Sequence, residues 1–238
     1  GSFTDVSLET QTTDSLGISY QSLFTDVDQN GWPDLFVIND KWFLNSFYRN
    51  TGLGYFEDEG ELRQLDYLMD AMCIAAEDYD NDGDVDFYIT NTSFAGGGVG
   101  NLLFKNDDGV FNTLPSATGI NVLQTCWGSV WFDYDNDGRQ DLWVTANFAV
   151  NPILNPIFKN EGQDTFTQIN NQIGLEGNVS RAYSIAMGDM NNDGYADIIQ
   201  GNANPYQHQL FQSSGGNAHW LKVSLEGSIS NKDAIGSK

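Results

Sequence analysis

The sequence predicts an all-β chain, a β-propeller or part of one, on three observations. A nine-residue acidic loop recurs four times. Its copies start at Asp26, Asp78, Asp133 and Asp189, a step of about 55 residues, and a near-constant period marks repeated supersecondary units. Short apolar runs flank every copy and read as about four strands per unit, the pattern of a propeller blade. Four such units nearly fill the 238 residues, so residues 1–216 are expected to form one repeat domain.

The loop from Asp133 to Asp141 shows the chemistry most fully. Asp133, Asp135, Asp137 and Asp141 stand at positions 1, 3, 5 and 9, and Gly138 stands at position 6. Hard cations take six to eight oxygen ligands, and alternating carboxylates round a glycine turn supply them. Position 7, Arg139, would add a backbone carbonyl and leave its side chain free to vary. The second loop has Asp78, Asp80, Asp82 and Asp86, with Asp84 at position 7. The first has Asp26, Asp28, Asn30 and Asp34, with Trp32 at position 7; the fourth has Asp189, Asn191, Asp193 and Asp197, with Tyr195 there. Calcium is expected, about one ion per loop and four in all. Magnesium fits an all-protein oxygen cage less well, and zinc lacks His or Cys ligands in the loops. Asn30 and Asn191 should weaken the first and fourth sites. The competing reading is four turns without an ion, and it must explain why like charges recur so close together. An EF-hand loop would end on a bidentate Glu and feed a helix; here position 12 is Val144, inside a β-prone run.

The strands follow in order. Gly17–Phe24 leads into the first loop and Leu35–Ile38 leaves it. Phe47–Asn50, a turn at Thr51–Gly54 and Tyr55–Asp58 close that unit. Met72–Ala76, Phe87–Thr90, Leu102–Lys105 and Val110–Thr113 make the second, with a Gly-rich link at Gly96–Gly100 and an Asp108-Gly109 hairpin turn. Trp127–Phe132, Leu142–Thr145, Pro156–Asn160 and Thr165–Ile169 make the third. Tyr183–Met187, Ile198–Gly201 and Gln209–Gln212 belong to the fourth. Residues 3–8, Phe-Thr-Asp-Val-Ser-Leu, match the unit ends at Phe111 and Phe166 and read as the last strand of a preceding unit. Asn217–Gly227 alternates like a strand. The 13% aromatic content fits packing between blades.

Thirty-three acids against ten bases give a formal charge of −23. That argues against nucleic acid and against anionic lipid as partners. Fourteen of the acids stand at positions 1, 3, 5 or 9 of the loops. No apolar run is long enough to cross a bilayer, so membrane insertion is not expected. The chain starts Gly-Ser-Phe with no signal-like segment, and a processed or excised form is the expectation. Cys73 and Cys126 are too few for a disulfide framework and should be two buried free thiols. Asn91 and Asn178 begin Asn-x-Ser/Thr triplets compatible with glycosylation.

The loops with their strands resemble the FG-GAP/VCBS repeats of integrin-α-type propellers. The pattern Asp-Tyr-Asp-Asn-Asp-Gly-x-x-Asp, followed by Leu-Phe-Lys-Asn and then Phe, is most similar to the cartilage acidic protein group, also called ASPIC/UnbV proteins. Residues 217–238, with His219-Trp-Leu-Lys-Val and Asn231-Lys-Asp-Ala-Ile-Gly, resemble the start of the UnbV segment of that group. The resemblance implies calcium in each loop, an extracellular or cell-surface setting, and a role in adhesion, matrix or surface assembly. Propellers of these families usually have seven blades, so four loops point to a fragment, a processed product or a unit completed by another copy.

A non-catalytic calcium-binding module with a protein or glycan ligand is therefore expected, self-associating as a homo-oligomer or filament where its end blades expose apolar faces. The alternative is a lyase or hydrolase acting on acidic polysaccharide. It would need a base in a cleft, and bases are scarce: Arg139, Arg181 and Tyr183 are the candidates, beside only His208 and His219.

Overall fold

The computed structural model describes residues 1–13, 17–92, 99–114, 118–147, 153–218, 220–221 and 223. Each acidic loop joins two antiparallel strands, and each sheet grows outwards from that hairpin. The first sheet runs β1 (Ser19–Thr25), β2 (Asp34–Asn39), β3 (Ser46–Asn50), β4 (Phe56–Asp58). The second runs β5 (Ala71–Glu77), β6 (Asp86–Asn91), β7 (Leu102–Asp107), β8 (Val110–Thr113). In the third, β9 (Cys126–Phe132) pairs β10 (Asp141–Ala146). Outside them lie β12 (Ile157–Gly162) and β13 (Thr165–Gln168). The fourth holds β15 (Ala182–Gly188), β16 (Asp197–Asn202) and β17 (Gln209–Phe211). One pairing was not foreseen: β11 (Ile153–Leu154) with β14 (Val179–Ser180). No helix of the described residues is long and apolar enough to cross a membrane.

The strands leading into the loops, β1, β5, β9 and β15, stand side by side, so the sheets follow one another as propeller-like blades. An apolar core fills each space between neighbours. Phe36, Phe47, Phe87, Phe104 and Phe111 pack between the first two sheets. Tyr79, Tyr88, Trp131, Leu142 and Phe166 pack between the second and third. Phe132, Trp143, Ile157 and Ile198 pack between the third and fourth. The aromatic excess is thus largely core, with Phe87 and Phe111 stacked at 5.0 Å. The Asp108-Gly109 turn has positive φ at both residues (54° and 86°), as a tight hairpin with matching twist requires.

Four expectations need correction. Residues 3–8 are not a strand, because no described strand offers them a hydrogen-bond ladder. The described residues after Gly216 are not strand either; most of the expected tail strand, and residues 93–98 of the Gly-rich link, lie outside the described residues. Asn91 and Asn178 are buried, and Asn91 Nδ2 donates to Gly100 O at 3.0 Å while Asn178 faces the Gln200 amide. A glycan on either amide would have to break the local packing. Cys73 and Cys126 are free thiols as expected, but only Cys126 is fully buried; Cys73 is half-buried beside Ser129.

Candidate metal centre

The four loops share one backbone path. Position 4 is left-handed in each (Gln29, Asn81, Asn136 and Asn192, φ 54–60°), and so is the position-6 glycine (Gly31, Gly83, Gly138 and Gly194). The carboxylates divide into two kinds. Those at positions 1 and 9 bind backbone. Asp78 accepts the N–H groups of Asp82 and Gly83 at 3.0 and 2.9 Å, and Asp26, Asp133 and Asp189 repeat the arrangement. Buried Asp86 accepts Tyr79 N with one oxygen and Asn106 N, in β7, with the other. Asp34, Asp141 and Asp197 do the same with Asn50, Asn160 and Ser213. The position-5 side chain accepts the position-7 N–H in every loop. Much of the acidic pattern therefore fixes the turn itself.

Position 3 is different. Asp28, Asp80 and Asp135 each hold one carboxylate oxygen, Oδ1, buried with no hydrogen-bond partner. Each lies in a cluster with positions 1 and 9, Asp26/Asp28/Asp34, Asp78/Asp80/Asp86 and Asp133/Asp135/Asp141, with one oxygen of every member within 4.8 Å of the others. A buried acceptor without a donor is costly, and several carboxylates round one point are more so. A hard cation removes both costs with the donor set present here. Burial, opposed by the backbone bonds, raises Asp34 to about 6, Asp86 to about 8 and Asp141 to about 7. In the fourth loop Asn191 replaces the acid and is bonded to Asp193 through both its amide atoms.

Two further features escaped the sequence reading. Basic side chains face position 3: Lys105 of β7 bonds Asp80, Lys159 of β12 bonds Asp135 and reaches Asp137 at 3.2 Å, and Arg63 reaches Asp28 at 3.5 Å. Burial opposes the charge on Lys105 and Lys159, yet their carboxylate partners win and raise both pKa values. The loops are also linked in series. Gln29 donates to Gly83 O (2.8 Å), Asn81 to Gly138 O (3.0 Å) and Asn136 to Gly194 O (3.1 Å), each from position 4 of one loop to position 6 of the next. The recurring amide at position 4 was the available signal.

The position-7 side chains, free to vary in identity, each make a contact of their own. Asp84 accepts Gln29 Nε2 and Asp108 N; Arg139 donates to Asn160 O and bonds Asp137. Trp32 lies against Gly52, and Tyr195 is buried with its hydroxyl accepting Ala218 N. The candidate bases are engaged elsewhere: Arg181 with Asn147 and Asn204, Tyr183 against Trp127 at 4.8 Å, His208 Nδ1 accepting Asn202 N. His219 lies outside the described residues.

These loops and sheets define the class. Residues 26–89 match the family model of the FG-GAP-like repeat, and the successive four-stranded sheets make a β-propeller-like fold. It is similar to cartilage acidic protein 1 of Xenopus tropicalis, 27% identical over 215 residues, covering 78% of this chain and 31% of that protein. The chain thus spans about a third of that relative's length. Among solved structures, an Agrocybe aegerita lectin recognising non-reducing terminal N-acetylglucosamine aligns at 19% identity and TM-score 0.44, covering 82% of this chain and 52% of the lectin. The Vibrio cholerae biofilm matrix protein Bap1 aligns at 16% identity and TM-score 0.40, covering 77% and 28%.

Proposed function

We propose that this chain is a non-catalytic, calcium-stabilised extracellular repeat module that works in adhesion, matrix or surface assembly. The observation that carries the calcium reading is the orphaned, buried Oδ1 of Asp28, Asp80 and Asp135, repeated at one position in three loops. Positions 1, 3 and 9 would hold the ion, together with the position-5 side chains and the position-7 carbonyls. Bound calcium would neutralise the cluster and lock each hairpin tip. Similarity to a protein named for cartilage supports the extracellular setting. Self-association belongs to this reading. Tyr20 and Phe24 are exposed on the first sheet, and Met187, Ile199 and Leu210 on the fourth.

Thermal unfolding tests it, after removal of divalent cations and again with calcium restored. A ligand that binds only the folded state raises Tm with its concentration. The expected result is a calcium-dependent rise, smaller in Asp80→Ala and in Asp135→Ala. An unchanged Tm in calcium overturns the reading.

A further inference from the structure

We infer that Asn30 is a self-modifying residue: in the folded loop its side-chain amide is converted by solvent water to a carboxylate, and the aspartate formed completes the first acidic loop. The conversion stands on the geometry of the loop. Its effect on metal binding rests on the calcium reading proposed above.

Position 5 is where the first loop departs from the other three. They carry Asp-Gly at positions 5 and 6, as Asp82-Gly83, Asp137-Gly138 and Asp193-Gly194; the first carries Asn30-Gly31, the only Asn-Gly pair in the sequence. An asparagine before glycine is open to attack by the following backbone nitrogen, because no Cβ on the next residue blocks the approach. The loop already gives Asn30 the contact of an aspartate. Its Oδ1 accepts Trp32 N at 2.8 Å, as Asp82 accepts Asp84 N at 3.0 Å, Asp137 accepts Arg139 N at 3.0 Å and Asp193 accepts Tyr195 N at 2.9 Å. A carboxylate at position 5 therefore needs no rearrangement of the turn.

The groups the reaction needs surround this amide. Trp32 N–H lies on Oδ1, where negative charge develops when Cγ is attacked. Gly31 N donates to Asp26 Oδ2 at 2.8 Å, so a carboxylate already holds the proton that the nucleophile must lose. Among the described residues no hydrogen bond holds Asn30 Nδ2, the leaving nitrogen. Asn30 and Gly31 are exposed, and a Cβ placed on Gly31 would meet nothing within 4 Å, so water reaches both. The other loop asparagines lack this setting. Asn81 and Asn136 precede aspartate and commit their amides to the next loop, and Asn191 gives its amide to Asp193 at 2.8 Å.

The steps balance with water alone. The Gly31 nitrogen bonds Asn30 Cγ, the Cγ–Nδ2 bond breaks, and ammonia leaves with the proton from Gly31, closing a cyclic imide. Water then adds at Cγ. Its hydroxyl stays on the carbon, its other proton returns to Gly31 N as the new Cγ–N bond breaks, and the side chain is a carboxyl. Addition at the backbone carbonyl instead breaks the original peptide bond and leaves isoaspartate, which lengthens the main chain by a methylene. Asp26 holds Asn30 N and Gly31 N with its two oxygens, at 3.0 and 2.8 Å, one on each side of that insertion. The folded loop thereby favours aspartate, which keeps both bonds.

Peptide mapping by mass spectrometry tests the conversion on the native chain, held in cation-free, mildly alkaline buffer and, in parallel, in urea. Asn30 is expected to convert faster than every other asparagine of the folded chain, with a larger share of aspartate over isoaspartate than in urea. Asn30→Gln, which would have to close a larger ring, should remain an amide. An intact Asn30, or an aspartate share no larger than in urea, overturns the inference. Titration calorimetry reads the consequence. The aged chain and Asn30→Asp should bind calcium at the first loop roughly tenfold more tightly than Asn30→Gln, the effect of one added charge close to the ion. Calcium binding that does not distinguish the three overturns the completion of the loop. Conversion in a chain that takes up no calcium supports the modification and rejects the calcium reading alone.

Discussion

At the scale of the residue, the lysines facing position 3 change the ranking of the sites. Sequence alone makes the second and third loops the most acidic. Each, however, brings its own ammonium group, Lys105 or Lys159, onto the position-3 carboxylate. Lys105→Met is therefore expected to tighten calcium binding by about tenfold, as removal of a nearby like charge from a partly buried site allows. The same variant should melt lower without calcium, because Asp80 loses the counter-charge of Lys105 beside Asp78 and Asp86; calorimetric titration and melting curves read the two effects separately. The position-9 acids give a pH dependence. The folded-state pKa values of Asp34, Asp86 and Asp141, about 6, 8 and 7, lie above the ordinary aspartate value of 3.8. In the absence of cations the folded chain then binds more protons than the unfolded chain. Their contribution to stability is full below the ordinary value and is lost as pH rises through those three pKa values. Cation-free Tm should fall across that interval, while the gain on adding calcium grows, because calcium needs the deprotonated carboxylates. Melting curves at acidic and alkaline ends of the range check both signs.

At the scale of the element, the unit of construction is a hairpin whose tip is the acidic loop. Its position-9 acid bonds the loop's start and the third strand at once, so the loop and the sheet are set together. The position-4 amides then tie each tip to the next. Asn81→Gly keeps the left-handed backbone but removes the donor to Gly138 O. It is expected to cost about 1 kcal/mol, and to make calcium uptake by the second and third loops less cooperative in titration calorimetry. The strand positions were legible, because each is an apolar run bounded by loop, turn or glycine. The pair β11–β14 was not, since two residues carry no period. Nor could spacing reveal that position 1 and 9 carboxylates cap backbone N–H groups while position 3 keeps a free oxygen, for both roles demand the same residue type.

At the scale of the whole molecule, the sequence by itself determined the all-β class, the fourfold repeat, the placement of nearly every strand and the loops that gather acids. Those follow from local signals: hydrophobic runs, glycine at a left-handed position and a fixed period. Only the tertiary structure decided how the units meet. It set the series of loop-to-loop bonds, the lysines over position 3, the burial of Asn91 and Asn178, and the engagement of position-7 side chains. It also left residues 3–8 without a ladder and β17 with a bare edge among the described residues. The physical reason is that strandedness and burial belong to pairs of segments. Phe3-Thr-Asp-Val-Ser-Leu8 carries the same local code as the unit ends at Phe111 and Phe166, but a strand forms only where another backbone stands ready to bond it.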